Sequence, residues 1–380
     1  MRRLLLLASA VVFVDTMFFA AVVPLLPGLT DDFGLSKTAA GVLSGSYAAG
    51  TLVAAIPGGV MAARFGVRRT VITGLALMSA SGVAFAFADT VALLDASRFL
   101  QGIGGAFSWA GALGWLVGAS PRERRGEMIG SAMAAAIAGV LAGPALGAAA
   151  DALGRAPVFC AVAVAGLALL ATALRIEPPR VSGRSIGTGL AAAARSPAVR
   201  FGMLLILVPG MLFGAVDVLV PLELDDLGAG AAAIAAVFLV AAAIEAVVAP
   251  LAGRLSDRRG RLMPSVIGLA ASSGFMLLLA LPETAWLLGL TLVLAAPAIG
   301  MLWSPAMAML SDGAEARGVD QGLAFGFVNL GWGLGHTIGA VAGPALSDVS
   351  SDAVTYGALA AVCALALAAL LRGGSAIAPA

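Results

Sequence analysis

The chain has 380 residues, 61% of them hydrophobic and 11% charged, with a formal net charge of +1 and a mean hydropathy of +1.02. Soluble domains carry about 25% charged residues, so this composition excludes an ordinary soluble protein and defines a membrane protein. A net charge this small also gives no footing for nucleic-acid binding.

Apolar stretches long enough for helical spans of about 20 residues fall near 4–29, 38–62, 70–88, 91–119, 126–150, 156–174, 199–224, 229–252, 263–281, 284–311, 318–346 and 353–371, which makes twelve. The first contains "VVFVDTMFFAAVVPLLP", residues 11–27, with Asp15 near the membrane midplane. An aspartate at that depth costs about 2.5–3.5 kcal/mol on insertion scales, a cost usually tied to a function. Arg2 and Arg3 precede it as in a signal peptide. A span-length stretch interrupted by an acid, with further spans behind it, does not fit a short cleavable segment. The fourth segment carries Arg98, Gln101 and Trp109, and Gln101 shares the helix face of Arg98. The seventh carries Asp217, the eighth Glu245, the tenth Trp303, and the eleventh Asn329, Trp332 and the single histidine, His336.

Charges between the segments orient the chain. Arg64/Arg68/Arg69, Arg122/Arg124/Arg125, Arg175/Arg180/Arg184/Arg195/Arg200 and Arg254/Arg258/Arg259/Arg261 all fall in even-to-odd connections. The other connections hold mainly acids, with Lys37 and Arg155 as their bases. The positive-inside rule then puts both termini in the cytoplasm. Arginine in place of all but one lysine hints at a GC-rich bacterial genome, hence the inner (cytoplasmic) membrane. Cys160 and Cys363 sit in separate spans and read as free thiols.

The sequence repeats at an offset near 200. "AGPAL" stands at 142–146 and again at 342–346, and "GRLSDRRGR" at 253–261 has a weaker counterpart in "GVMAARFGVRR" at 59–69. Two six-helix halves account for both, 1–174 and 199–380, joined by a polar cytoplasmic linker at 175–198. The expected fold is an all-α membrane protein of twelve transmembrane helices in two halves related by pseudo-two-fold symmetry.

With these residues in place the chain resembles the major facilitator superfamily. The family loop pattern G-x-x-x-D-R-x-G-R-R is met by Gly253, Asp257, Arg258, Gly260 and Arg261, and in part by Gly59, Arg64 and Gly66, where Ala63 replaces the aspartate. By resemblance Asp257 helps to lock the cytoplasmic gate. "RFLQGIGGA" resembles the family's R-x-x-Q-G-x-G segment, which implies that Arg98 steers proton binding at a nearby acid. "GVLAGPALGA" resembles its antiporter motif through Gly139, Gly143, Pro144 and Gly147, with Ala148 at the final glycine. Together these are similar to twelve-helix drug:proton antiporters. The first segment also resembles vesicular monoamine transporters through Asp15, Val22, Val23, Pro24 and Pro27, and the seventh through Asp217 ahead of Pro221. Asn329, where those carriers have an acid, separates the chain from their substrate.

Intramembrane ionisable residues normally face a bundle interior or a wet cavity. Asp15, Asp217, Glu245 and Arg98 are therefore the candidate proton-coupling set. Asp15, Gln101, Trp109, Asp217, Glu245, Trp303, Asn329, Trp332 and His336 are the candidate substrate-binding set. Each has a structural alternative: a hydrogen-bonded acid, a fixed ion pair (Glu245 with Arg254), a packed histidine, or an aromatic in the core. The aromatics Phe18 and Phe325 stand with Trp109, Trp303 and Trp332 as possible cation-stacking faces. One histidine and two distant cysteines make no metal site, and no phosphate loop is present to use ATP. The expected protein is a monomeric, non-enzymatic carrier without cofactor, drawing on the proton gradient and exporting lipophilic compounds, cationic ones foremost. The alternatives are a dedicated exporter of one metabolite or antibiotic, a uniporter or importer of a neutral solute, and a receptor-like protein on a transporter fold.

Overall fold

The computed structural model describes residues 2–120, 125–177, 196–315 and 321–373. Most of the 175–198 linker lies outside these, as do Arg122, Arg124, Arg180, Arg184, Arg195 and the side chains of Arg125 and Phe325. The described chain is helical: α1 Arg2–Ala20, a 3-10 turn Val23–Leu25, α2 Leu26–Phe33, α3 Lys37–Phe65, α4 Val67–Ala86, α5 Val91–Ala119, α6 Arg125–Leu153 and α7 Arg155–Leu174. There follow α8 Pro197–Asp226, α9 Ala231–Arg259, α10 Leu262–Leu279, α11 Ala285–Gly300, α12 Trp303–Glu315, α13 Gln321–Val349 and α14 Asp352–Gly373. With α1/α2 and α11/α12 each counted as one pass, these are the twelve segments expected. Ten are long and apolar enough to cross a membrane by length and composition. The other two, α5 and α13, have 29 residues each, about 43 Å of helix.

Two passes are broken where the sequence suggested unbroken helices. α1 ends at Ala20, and only the short turn closed by Leu25 N–H on Val22 O (3.0 Å) separates it from α2. Pro24 and Pro27 cause the break, because neither can donate the amide that a continuing helix needs at its position. Pro305 does the same between α11 and α12, where Leu302 N–H turns back to Ile299 O at 3.2 Å. The tight junctions α3/α4 and α9/α10 turn on Gly66 (φ 92°) and Gly260 (φ 83°), both in the left-handed region that disfavours a side chain.

The described chain forms two compact units, Met1–Leu25 with Ser46–Ile186 and Leu26–Gly45 with Gly187–Ala380. In the first, α1 packs on α5, α6 and α7, and α4 packs on α5 and α7. Its core includes the Phe18/Phe159/Phe85 ring cluster, with centroids 5.2 and 4.9 Å apart, so Phe18 is a packing residue. In the second, α8 lies against α11, α12 and α13, and α10 against α14. α2 and the first turns of α3, early in sequence, belong to this second unit. Helix α9 leaves much of its surface uncovered, Val247 being 67% exposed, as suits a face turned to lipid.

Candidate functional site

In the first unit α1 delivers Asp15 to the interior, where it is 1% exposed. Tyr47 on α3 donates its hydroxyl to both carboxyl oxygens at 2.9 Å, and Trp109 on α5 donates Nε1–H to Oδ2 at 2.7 Å. Gly105 forms the floor: a Cβ there would lie 2.7 Å from both Asp15 Oδ1 and the Tyr47 hydroxyl. Gly102 lets α5 approach this closely, since its Cβ would fall 1.9 Å from the Tyr47 carbonyl.

Arg98, equally buried, lies within electrostatic range of Asp15. Its guanidinium donates to Gln101 Oε1 (2.7 Å), Phe18 O (3.5 Å) and Phe19 O (3.3 Å). Those carbonyls are open because α1 stops at Ala20, which leaves the last turn without its i+4 donors. A cation there also suits the negative end of the helix. The guanidinium carbon sits 5.1 Å from the Tyr47 ring centroid and 5.9 Å from that of Phe19, within cation–π reach. The proline break, the arginine and the acid thus form one structure. Gln101 Nε2 and Arg98 Nε are buried donors with no hydrogen-bond partner among the described residues.

Chemically, Asp15 can exist in two forms here. As a carboxylate it accepts from both neighbours. When it takes a proton on Oδ1, the Tyr47 hydroxyl can rotate from donor to acceptor, whereas Trp109 can only donate and stays on Oδ2.

The glycine-rich stretch "GVLAGPALGA" at 139–148 frames this acid. On α6, a Cβ on Gly139 would meet Thr16 Oγ1 at 2.1 Å, on Gly143 the Ala20 Cβ at 2.4 Å, and on Gly147 the Ala21 carbonyl at 2.2 Å. Pro144 is buried beside them. Thr16, next to Asp15, donates across the interface to Ala136 O at 2.9 Å.

In the second unit Asp217 (α8) and Glu245 (α9) are half-buried and within electrostatic range of each other. The Glu245 side chain lies flat on Gly300, where a Cβ would be 2.5 Å from its Cγ and Oε1. Arg254, the sequence candidate for a partner, is exposed, and the electrostatic neighbour of Glu245 is Asp217 instead. Trp332 stacks on the buried His336 at 5.2 Å, and Gly210 and Gly214 of α8 receive their backbone. Trp303 packs against the apolar core, and Asn329 is half-buried one turn before Trp332.

At the loop motifs, Asp257 pairs with Arg261 of its own motif at 2.7 Å, and Arg261 also reaches Asp312 at 3.4 Å. Arg64 and Arg258 are exposed, a Cβ on Gly59 would meet open space, and one on Gly253 would lie 3.7 Å from Ser304 Oγ.

Tyr47, Tyr356 and Gly105 were not among the residues singled out from sequence. A signal existed: the chain has only two tyrosines against 16 phenylalanines. Both donate to a carboxyl, Tyr47 to Asp15 and Tyr356 to Glu223 at 2.9 Å.

The architecture is a multi-pass bundle of apolar helices with acids held inside its spans. The chain belongs to the major facilitator superfamily, whose family model matches residues 8–321. It is 28% identical over 168 residues to "Multidrug resistance protein 1" of Bacillus subtilis (strain 168), an alignment covering 44% of this chain and 43% of that protein. It is 25% identical over 172 residues to "Quinolone resistance protein NorA" of Staphylococcus aureus (strain MRSA252), covering 45% and 44%. The chain thus spans less than half the length of these relatives. A solved D-xylose-proton symporter superposes with a TM-score of 0.78 over 96% of both chains at 18% identity, a likeness of fold alone.

Proposed function

We propose that the protein is a proton-coupled antiporter that exports lipophilic, chiefly cationic compounds. It works as a monomer in a bacterial inner membrane with both termini cytoplasmic, and the proton gradient is its energy source. The observation that carries this reading is Asp15, buried at mid-span yet supplied with a partner that can follow its protonation, the Tyr47 hydroxyl. Proton and cationic substrate compete for one carboxylate, and competition at a site with alternating access is exchange. The glycines of α6 seated on the Asp15 helix, and the multidrug and quinolone resistance relatives, support the direction and the substrate class. Asp217 and Glu245 serve as a second acidic site. Where Asp257 secures a cytoplasmic gate, it acts in the second-half loop only, since Ala63 replaces its first-half counterpart.

The test uses proteoliposomes with an imposed pH gradient and a fluorescent lipophilic cation. Native protein moves the cation with the gradient and Asp15→Asn does not. Equal transport by both would remove Asp15 from coupling. A second reading has its own support: Gln101 Nε2 and Arg98 Nε, donors without a partner among the described residues, suit a substrate bearing hydrogen-bond acceptors. A dedicated exporter of an acceptor-rich metabolite would transport that class and leave the cation unmoved.

A further inference from the structure

A second cluster of acids gathers at the ends of four helices, away from Asp15. Lys37, the first residue of α3, places Nζ 2.9 and 2.7 Å from the two oxygens of Asp352, the first residue of α14. Ser347 near the end of α13 also donates to Asp352. Beside them Asp348 accepts from the Thr38 amide (2.8 Å) and hydroxyl (2.6 Å). Glu223, in the last turns of α8, accepts from the buried Tyr356 hydroxyl at 2.9 Å. The Glu223 and Asp352 carboxyls also lie within interaction range of each other.

Two carboxyls set side by side against the single ammonium of Lys37 repel when both are ionised, and a proton shared between them relieves this. Ionised carboxylates only accept, so two of them bond to each other only when one is protonated. Lys37 grips both oxygens of Asp352 and favours its charged form, so Glu223 is the member of the pair suited to take the proton. The charged group acting on both acids is Lys37 from α3, and Asp348 from α13 acts on Lys37 in turn. Farther along, Asp225 and Asp226 end α8, and Asp31 of α2 acts on Asp225.

We propose that Glu223 and Asp352 form a proton-binding site which, when occupied, latches the start of α3 to the start of α14. Deprotonation of Glu223 removes the carboxyl–carboxyl bond and sets two like charges against the single ammonium of Lys37. Lys37 lies early in the sequence and Asp352 late, so the latch joins distant stretches of chain within the second compact unit. This step rests on the antiport reading and its topology. There the acid-bearing loops face the outside, and an external proton passing to Glu223 closes the outer end for the return stroke.

The test reads the latch without transport. Spin labels at Asp32→Cys and Ser350→Cys, in a chain lacking Cys160 and Cys363, are measured by pulsed dipolar spectroscopy in nanodiscs with no substrate and no gradient. The short-distance population should fall with rising pH, with a limiting slope of about tenfold per unit for one linked proton. Glu223→Gln should hold the short distance at alkaline pH, because its amide donates to Asp352 while its carbonyl accepts from Tyr356. Infrared difference spectra of the unlabelled protein should show a protonated-carboxyl band that Glu223→Gln lacks. A distance distribution indifferent to pH, a variant that titrates like the native chain, or no such band overturns the latch. A titrating latch in a protein without pH-driven exchange sinks the antiport reading and leaves the latch standing.

Discussion

Asp15 shows how one residue is held ready for two states. Its two donors are unequal: Trp109 is fixed as a donor, whereas Tyr47 can reverse. Replacing Tyr47 by Phe keeps the ring beside Phe19 and Arg98, whose centroid distances are 4.9 and 5.1 Å, and deletes only the hydroxyl. Hydrogen bonds to charged groups contribute about 1.5–3 kcal/mol, so the ionised form of Asp15 loses that much support. The sign follows directly. A donor lost from the carboxylate favours the protonated form, so release needs higher pH. The pH profile of exchange in Tyr47→Phe should move upward by about 1–2 units, with folding retained. A profile that stays in place would mean that Tyr47 only packs.

Among the elements, the repeat at offset 200 acquires a physical meaning. Gly139 and Gly143 press α6 onto α1, and their counterparts Gly339 and Gly343 press α13 onto α8. A Cβ on Gly339 would stand 1.9 Å from Met211 O, and on Gly343 2.9 Å from the Ala215 Cβ. Small residues that let backbones touch are what hold helices together in lipid, where apolar burial alone gives little preference. Gly139→Ala and Gly339→Ala should each destabilise by about 1–3 kcal/mol through overpacking, and together add to within about 0.5 kcal/mol, since they act in separate interfaces. Gly130→Ala, on the same helix as Gly139 but with open space at its Cβ, is the control and should be neutral or slightly stabilising. Thermal unfolding in detergent reads all four proteins. In sequence "AGPAL" showed the repeat, but it could not show which helix each glycine would meet. The breaks after Ala20 and Gly300 were likewise written in Pro24, Pro27 and Pro305. Hydropathy windows run through a proline as long as apolar residues continue, so both passes read as straight.

For the whole molecule, legibility followed the strength of the constraint. A bilayer demands about 20 apolar residues per pass, so twelve segments were visible, and α5 has the limits read from sequence, 91–119. Side-chain partnerships between distant segments carry no such periodic signal. Tyr47 meeting Asp15, or Lys37 meeting Asp352 across 315 positions, appears only once the chain is folded.

The proposed antiport cycle makes an energetic prediction about the same acids. Exchange of one proton for one monovalent cation moves no net charge and draws only on the pH difference, about 1.4 kcal/mol per unit. Asp217 and Glu245, within electrostatic range of each other, repel when both are ionised, so a proton bound there relieves both. On the proposed antiport, that proton added to one on Asp15 would make each turnover carry a net positive charge inward and gain about 2.3 kcal/mol per 100 mV. Liposomes holding a potassium diffusion potential and no pH difference should therefore drive uphill movement of a monovalent cation by the native protein. The double variant Asp217→Asn/Glu245→Gln should lose this response to voltage while keeping its response to pH through Asp15. Native transport that ignores voltage would assign both acids to packing or substrate contact, and leave Asp15 as the sole proton carrier.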